Sequence, residues 1–183
     1  MPAVQPGHLR GFTLIELMIA VTVFAIGVAI AIPNFATLIA GRKLTTAASN
    51  LRADLSFARI EATRRGRSVG VCPADVRSGT ASACGGSTDW SNGWLVYADA
   101  NGNGSLDGGE TVLRVRPPEK AISATPLSSE GTLASVQNVD ARPTGELTAS
   151  GRIRFCKSGV VGTELVVGMS GSLRTETTSS SCS

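Results

Sequence analysis

At 183 residues the chain has room for one long helix plus one ordinary globular domain, which excludes two independent cores. Aromatic residues make up 4% and charged residues 17%, while Gly occupies 21 positions, a composition that favours short strands joined by turns over a helical bundle. The net charge of +3 is unevenly spread: residues 1–41 balance, residues 42–67 carry seven basic against two acidic side chains, and residues 68–183 carry a small negative excess.

The chain opens with an eleven-residue leader, Met1 to Gly11, that holds Arg10 and the single histidine, His8. Behind it, Leu17 to Gly41 contains no charged side chain, a stretch longer than the roughly 20 apolar residues that span a bilayer core. This segment, taken with its start at Phe12 as residues 12–41, is expected to be a transmembrane helix. The positive-inside bias places the leader in the cytoplasm and the following domain outside. Glu16 interrupts the apolar run Phe12-Thr13-Leu14-Ile15-Glu16-Leu17-Met18, where an ionised carboxylate costs several kcal/mol unless it finds a partner or snorkels to the interface. Cutting after Gly11 would free an α-amino group at Phe12, one helical turn away. The amine and carboxylate of neighbouring subunits would then neutralise one another as their helices pack.

The run Arg10-Gly11-Phe12-Thr13-Leu14-Ile15-Glu16-Leu17 resembles the class III signal of type IV prepilins and pseudopilins. The resemblance implies cleavage after Gly11 by a prepilin peptidase, N-methylation of Phe12, a filament-core role for the helix over residues 12–41, and recruitment of the subunit to a growing filament through Glu16. Pro33 resembles the proline of the family's apolar helix. A conventional secretory signal is the competing reading, since the small residues Ala29 and Ala31 follow the apolar stretch, but it leaves Glu16 unexplained.

In residues 42–67 the helical period continues in amphipathic form. Leu44, Ala48, Leu51, Leu55, Ala58 and Ala62 fall on one stripe, and Arg42, Lys43, Arg52, Arg59, Arg64, Arg65 and Arg67 surround it. A helix from Phe12 to about Arg65 would be roughly 80 Å long and carry a head on that stripe. The basic run would meet phospholipid head groups, acidic neighbouring subunits or nucleic acid, or simply be a solvated face. Gly27, Pro33 and Gly41 are points where such a helix would bend.

Residues 68–183 read as a β-rich head. Ser68–Cys72, Gly93–Ala98, Thr111–Val115, Arg152–Cys156 and Glu164–Gly168 are strand candidates between Gly, Pro, Asn and Ser clusters, which predicts an antiparallel sheet or two packed sheets. The Ser-rich tail from Thr177 to Ser183 has the composition of a disordered terminus, except that it carries Cys182. Four cysteines in an exported head predict disulfides, with three connectivities open. A metal site is the weaker alternative, because there is no CxxC pair and the one histidine lies in the leader.

The segment holding Cys72, Pro73, Cys84, Asp89, Trp90, Gly93, Trp94, Leu95, Val96, Tyr97 and Asp99 resembles the GspH/FimT/FimU branch of minor pilins and pseudopilins. The implied fold is α+β and pilin-like, a long N-terminal helix packed on an antiparallel β-sheet head. Sequence proximity and the pattern of the family together favour Cys72 with Cys84 and Cys156 with Cys182. The implied function is that of a structural subunit of a type IV pilus or type II secretion filament, anchored in the inner membrane with a periplasmic head. Its partners would be other pilin subunits and the prepilin peptidase.

Two further patterns carry alternatives. Asp99, Asn101, Asn103, Gly104, Ser105, Asp107 and Glu110 fit the calcium-loop pattern D-x-[DN]-x-[DN]-G-x5-E, but the strand-like flanks and the Asn and Gly content also describe a plain hairpin loop. In Gly151-Arg152-Ile153-Arg154-Phe155, strand alternation places both arginines on one face, a geometry that grips phosphates. Some FimT-type pilins take up DNA through a GRxR motif, which Arg152 and Arg154 spell. By position the motif corresponds better to Gly171-Ser172-Leu173-Arg174, where Ser172 replaces the first arginine. A DNA-binding surface of Arg152, Arg154, Arg174 and Lys157 is therefore the alternative function. Catalysis has no support: after leader removal no histidine remains, and there is neither a GxxxxGK[ST] nor a GxSxG turn. No cofactor is expected apart from calcium.

Overall fold

The structure is a computed structural model that describes residues 11–76, 83–85, 88–119, 122–131 and 138–182, with no side chain described at 30–34, 128–131 or 180. The leader as far as Arg10 lies outside the described residues, and so does the side chain of Pro33. Among the described residues one α-helix, α1, runs Leu14–Arg65, and eight strands follow: β1 Val69–Pro73, β2 Trp94–Ala98, β3 Thr111–Arg116, β4 Ser123–Gly131, β5 Val139–Ala141, β6 Gly151–Cys156, β7 Val161–Val167 and β8 Leu173–Ser181. The chain divides into two compact units, Met1–Leu38 and Ile39–Ser183.

In the first unit the apolar side chains of α1 are exposed, from Leu14 and Ile15 through Phe24, Ile26 and Phe35. Among the described residues no helix is long and apolar enough to cross a membrane. The predicted 12–41 transmembrane segment includes residues 30–34, whose side chains lie outside that description.

The second unit is organised by the stripe on α1. Leu44, Ala48, Leu51, Leu55, Ala58 and Ala62 are all fully buried, joined by Ala47. Their 3–4 spacing puts small and branched side chains in line along one face. Arg64 and Arg65 occupy the last turn, favourable for the helix dipole. Gly66, at φ 64°, ends the helix in the left-handed conformation that suits glycine, one residue past Arg65 and short of the expected boundary at 67.

Two antiparallel four-stranded sheets complete the head, in the orders β3-β2-β1-β5 and β4-β6-β7-β8. One cluster unites the helix stripe with Val69 and Val71 of β1, Trp94 and Val96 of β2, Val139 and Ala141 of β5, and Ile153, Phe155, Leu165 and Val167 of the second sheet. A smaller cluster of Cys72, Leu95 and Tyr97 fills the other face of the first sheet. Tyr97 lies across Gly70, its register partner, where any Cβ would sit 2.2 Å from the ring. That lane needs glycine because the ring occupies the space of a side chain.

Five strands match the sequence candidates to within a few residues, and three do not appear among them: β4, β5 and β8. Of the tail that has the composition of a disordered terminus, residues 177–181 are the end of β8. This strand pairs with β7 from Leu173 to Ser181 and is closed at its end by a disulfide. Local composition predicts disorder there, but backbone hydrogen bonds to β7 do not depend on apolar side chains. Ahead of β2, Trp90–Asn92 is a 3-10 turn capped by Asp89, whose carboxylate accepts the Ser91 amide at 2.9 Å.

Candidate functional site

The amino-terminal candidate residues stand at the start of α1. Thr13 precedes the helix and its hydroxyl accepts the Glu16 amide hydrogen at 3.3 Å, while its carbonyl accepts the Leu17 amide at 3.2 Å. Thr13-Leu14-Ile15-Glu16 is thus a Thr-x-x-Glu helix start, with Glu16 at the third helical position where the dipole favours an acidic side chain. The sequence contained this signal, since a Thr three residues before a Glu ahead of an apolar run marks a helix N-terminus. Gly11, Phe12, Thr13 and Glu16 together line one shallow polar cleft, and Phe12 is 86% exposed.

Of the three open cysteine connectivities the structure holds Cys72–Cys84 and Cys156–Cys182, each with a Cα–Cα distance of 5.6 Å, and no described cysteine is free. The first bridge ties the chain after β1 back to that strand, and the second fastens the end of β8 to β6.

On the outer face of the second sheet Ile153 and Phe155 point into the core, as alternation requires, and Arg152 and Arg154 point away. The arginines meet carboxylates there. Arg152 contacts Glu164 at 3.2 Å and Glu176 at 2.8 Å, Arg154 contacts Glu164 at 2.7 Å, and Arg174 contacts Glu176 at 2.6 Å. Three cations therefore share two carboxylates. Arg174 first, then Arg152, hold the Glu176 carboxyl below its usual range. Lys157 does not join them. It lies in the turn between β6 and β7, where its carbonyl accepts the Val160 amide.

The calcium-pattern segment is the connection between β2 and β3. Asp99 is buried, and its carboxylate accepts the amides of Gly102 at 2.6 Å and Gly104 at 3.0 Å. Asn101 and Asn103 donate side-chain amides to Asp107, and Glu110 accepts the amides of Ala100 and Asp107. These polar atoms satisfy one another within the loop. Among the described residues no group of three or more His, Cys, Asp or Glu side chains is placed to hold a metal ion.

Three arrangements depend on long-range contacts that sequence pattern does not carry. Asp54, fully buried on α1, accepts the indole N–H of Trp94 at 2.9 Å and a bidentate pair from Arg116 at 2.9 and 3.0 Å, with Arg114 adding a further bond at 3.0 Å. It clamps the helix to β2 and β3, and both carboxylate oxygens are satisfied, the condition for tolerating a buried charge. Arg59 donates to the carbonyls of Gly145 at 2.7 Å and Gly171 at 2.6 Å, pinning two turns of the head. Gly171, at φ 83°, leaves no room for a Cβ, which would fall 2.3 Å from the guanidinium carbon. Asp140 of β5 is buried beside Asn138 and Thr148, and Asn138 also donates to the carbonyl of Gly104. Burial first, and the charge of Asp99 second, push the Asp140 carboxyl up to about 6.

A family model described as type II transport protein GspH matches residues 47–172, and a prokaryotic N-terminal methylation motif matches residues 9–32. Two crystal structures of the type IV minor pilin FimU of Pseudomonas aeruginosa are similar in fold. One has 21% identity and a TM-score of 0.52, covering 75% of this chain and 98% of that one. The other has 20% identity and a TM-score of 0.55, covering 76% and 95%. No curated protein matches the sequence.

Proposed function

This chain belongs to the GspH family of type II transport proteins, and from that membership we propose that it works as a minor pilin or pseudopilin, processed at Gly11 and assembled through α1 into a type IV pilus or type II secretion filament. The family is structural, so the work of the chain is packing and recognition. The observation that carries the reading is the start of α1. An exposed Phe12 directly follows Gly11, and Glu16 stands one turn along a helix whose next 25 residues, Leu17 to Gly41, carry no charge. Cleavage after Gly11 by a prepilin peptidase would create the only cation within reach of Glu16 on that stretch. Methylation of the new Phe12 keeps that charge. A neighbouring subunit's Glu16 then neutralises the amine, so that burial of both is favourable in the filament and costly outside it. The uncharged segment anchors the subunit in the inner membrane, with the head in the periplasm, until it is recruited. The two disulfides accord with an oxidising compartment.

The DNA-receptor reading gains nothing specific from the head. Arg152, Arg154 and Arg174 already face Glu164 and Glu176, and Lys157 lies elsewhere. A phosphate would have to displace those carboxylates.

The test is Glu16→Ala in the full-length protein, with membrane fractionation and filament content measured side by side. Insertion is expected to be unchanged and incorporation into filaments strongly reduced. Normal incorporation would remove the charge-pairing argument, and an unprocessed amino terminus on filament-borne protein would remove the processing step.

A further inference from the structure

Seven basic residues lie in residues 42–67, and the fold disposes of four of them. Arg64 and Arg65 hold Glu61, Arg59 holds two carbonyls, and Arg67 donates to the carbonyl of Ala100. Arg42, Lys43 and Arg52 remain exposed, without an ion-pair partner among the described residues. Arg42 and Lys43 directly follow the uncharged stretch Leu17 to Gly41.

The fold brings a third free cation to the same level. The turn between β6 and β7 closes on the helix at Gly41, where the position of a Cβ would be 3.9 Å from a methyl of Val160. That turn carries Lys157, exposed and without an ion-pair partner among the described residues. Two apolar side chains flank the cations, Ile39 at 45% exposure and Val161 at 46%. Residues 39–50 and 156–162 contain no acidic side chain. The carboxylates that neutralise the other arginines of the head, Asp54, Glu61, Glu164 and Glu176, lie on other parts of the head.

We propose that this rim, formed by Arg42, Lys43 and Lys157 with the exposed Ile39 and Val161, docks the head on the anionic phospholipid surface from which α1 emerges. This rests on the membrane anchoring proposed above. The chemistry fits a bilayer because the cations follow at once on the uncharged stretch, in the place where head groups meet an emerging helix. Flexible ammonium and guanidinium groups pair with lipid phosphates there, and the apolar side chains enter the boundary with the acyl chains. Each basic side chain near an anionic surface strengthens attachment roughly fivefold, and the attraction fades within about a Debye length of 8–10 Å. Arg52 lies about 15 Å further along the helix and falls outside that reach. Docking would hold the unassembled subunit upright at the membrane, and extraction into a filament would have to break it.

The full-length protein, reconstituted in lipid nanodiscs, tests this by hydrogen exchange. One set of discs contains only phosphatidylcholine, and the other contains phosphatidylcholine with phosphatidylglycerol. Amides of residues 42–46 and 157–161 are expected to exchange several-fold more slowly in the anionic discs. The triple variant Arg42→Gln, Lys43→Gln, Lys157→Gln should lose that difference, as should wild type at high salt, while Arg52→Gln should keep it. Equal exchange in the two disc types overturns the docking and leaves the anchor intact. Protection that is the same in both and rises with protein concentration assigns the rim to a second subunit and overturns the lipid proposal. Failure of the chain to insert into either disc removes the anchor itself and the docking with it.

Discussion

Asp140 shows how one buried carboxyl ties stability to pH. It lies on β5 next to Gly70, on the lane that Tyr97 crosses, and the Tyr97 hydroxyl is buried with no hydrogen-bond partner among the described residues. Burial, then the charge of Asp99, raise the Asp140 carboxyl from 3.8 to about 6. The folded state therefore keeps a proton that the unfolded chain releases, so this residue makes stability fall as pH rises from about 4 to about 6 and stay low above it. Asp140→Asn should remove that part of the dependence and stabilise the head by roughly 1–3 kcal/mol at neutral pH. Thermal unfolding of both proteins across this window measures it, and parallel curves would show that the site carries no pH linkage. Glu61 behaves oppositely. Arg64 and then Arg65 hold its carboxyl down to about 2, so any contribution it makes is present above the ordinary carboxylate range and lost only in strong acid. The sequence displayed every one of these side chains, but not that Asp140 and Asp99 would be neighbours. That follows from β5 joining the edge of a sheet whose other strands lie far earlier in the chain.

At the scale of elements, the head is held to α1 by an apolar stripe and by two polar fastenings of different legibility. The stripe was readable because helical period places Leu44, Leu51 and Leu55 on one face whatever they pack against. Asp54 and Arg59 were not, since both read as ordinary members of a charged surface. Their roles depend on partners 40 to 112 residues away. Arg59→Ala should strand the carbonyls of Gly145 and Gly171 and cost roughly 2–4 kcal/mol in denaturant unfolding. A loss under about 0.5 kcal/mol, the scale of an ordinary surface change, would show the fastening to be idle. Gly171 thus has a structural duty of its own, in the segment that corresponds by position to a DNA-binding motif. Arg59 is accordingly no neutral control for surface charge in a binding experiment.

For the whole molecule, the disulfides close the two sheets in complementary places. Cys72–Cys84 spans 12 residues after β1, and Cys156–Cys182 spans 26 and secures the last strand. β8 is an edge strand, rich in Ser and Thr and with little apolar surface to bury, so its attachment relies on the ladder to β7 and on that bridge. Replacing Cys156 and Cys182 together by Ser should cost about 3 kcal/mol and raise amide exchange along residues 173–181 well before the rest of the head. Exchange that rises uniformly would mean β8 is integral to one cooperative unit and the bridge only adds to global stability. The family assignment belongs to this scale as well. It rests on a match over residues 47–172, from α1 through β7, and on a second match at the amino terminus.

By itself the sequence determined what is local or periodic. The capped start with Glu16, the uncharged stretch behind it, the buried stripe to Ala62 and five of the eight strands are all set by short-range pattern, because hydrophobic period and turn residues act within a few positions. Tertiary structure alone decided which charges remain free. Arg152, Arg154 and Arg174 look alike in sequence to Arg42, Lys43 and Lys157, yet the first three face carboxylates supplied by neighbouring strands and the last three face none among the described residues. Strand register, a long-range property, places Glu164 and Glu176 beside the first group. A charge is neutralised by what stands a few ångströms away in space, whatever its distance along the chain.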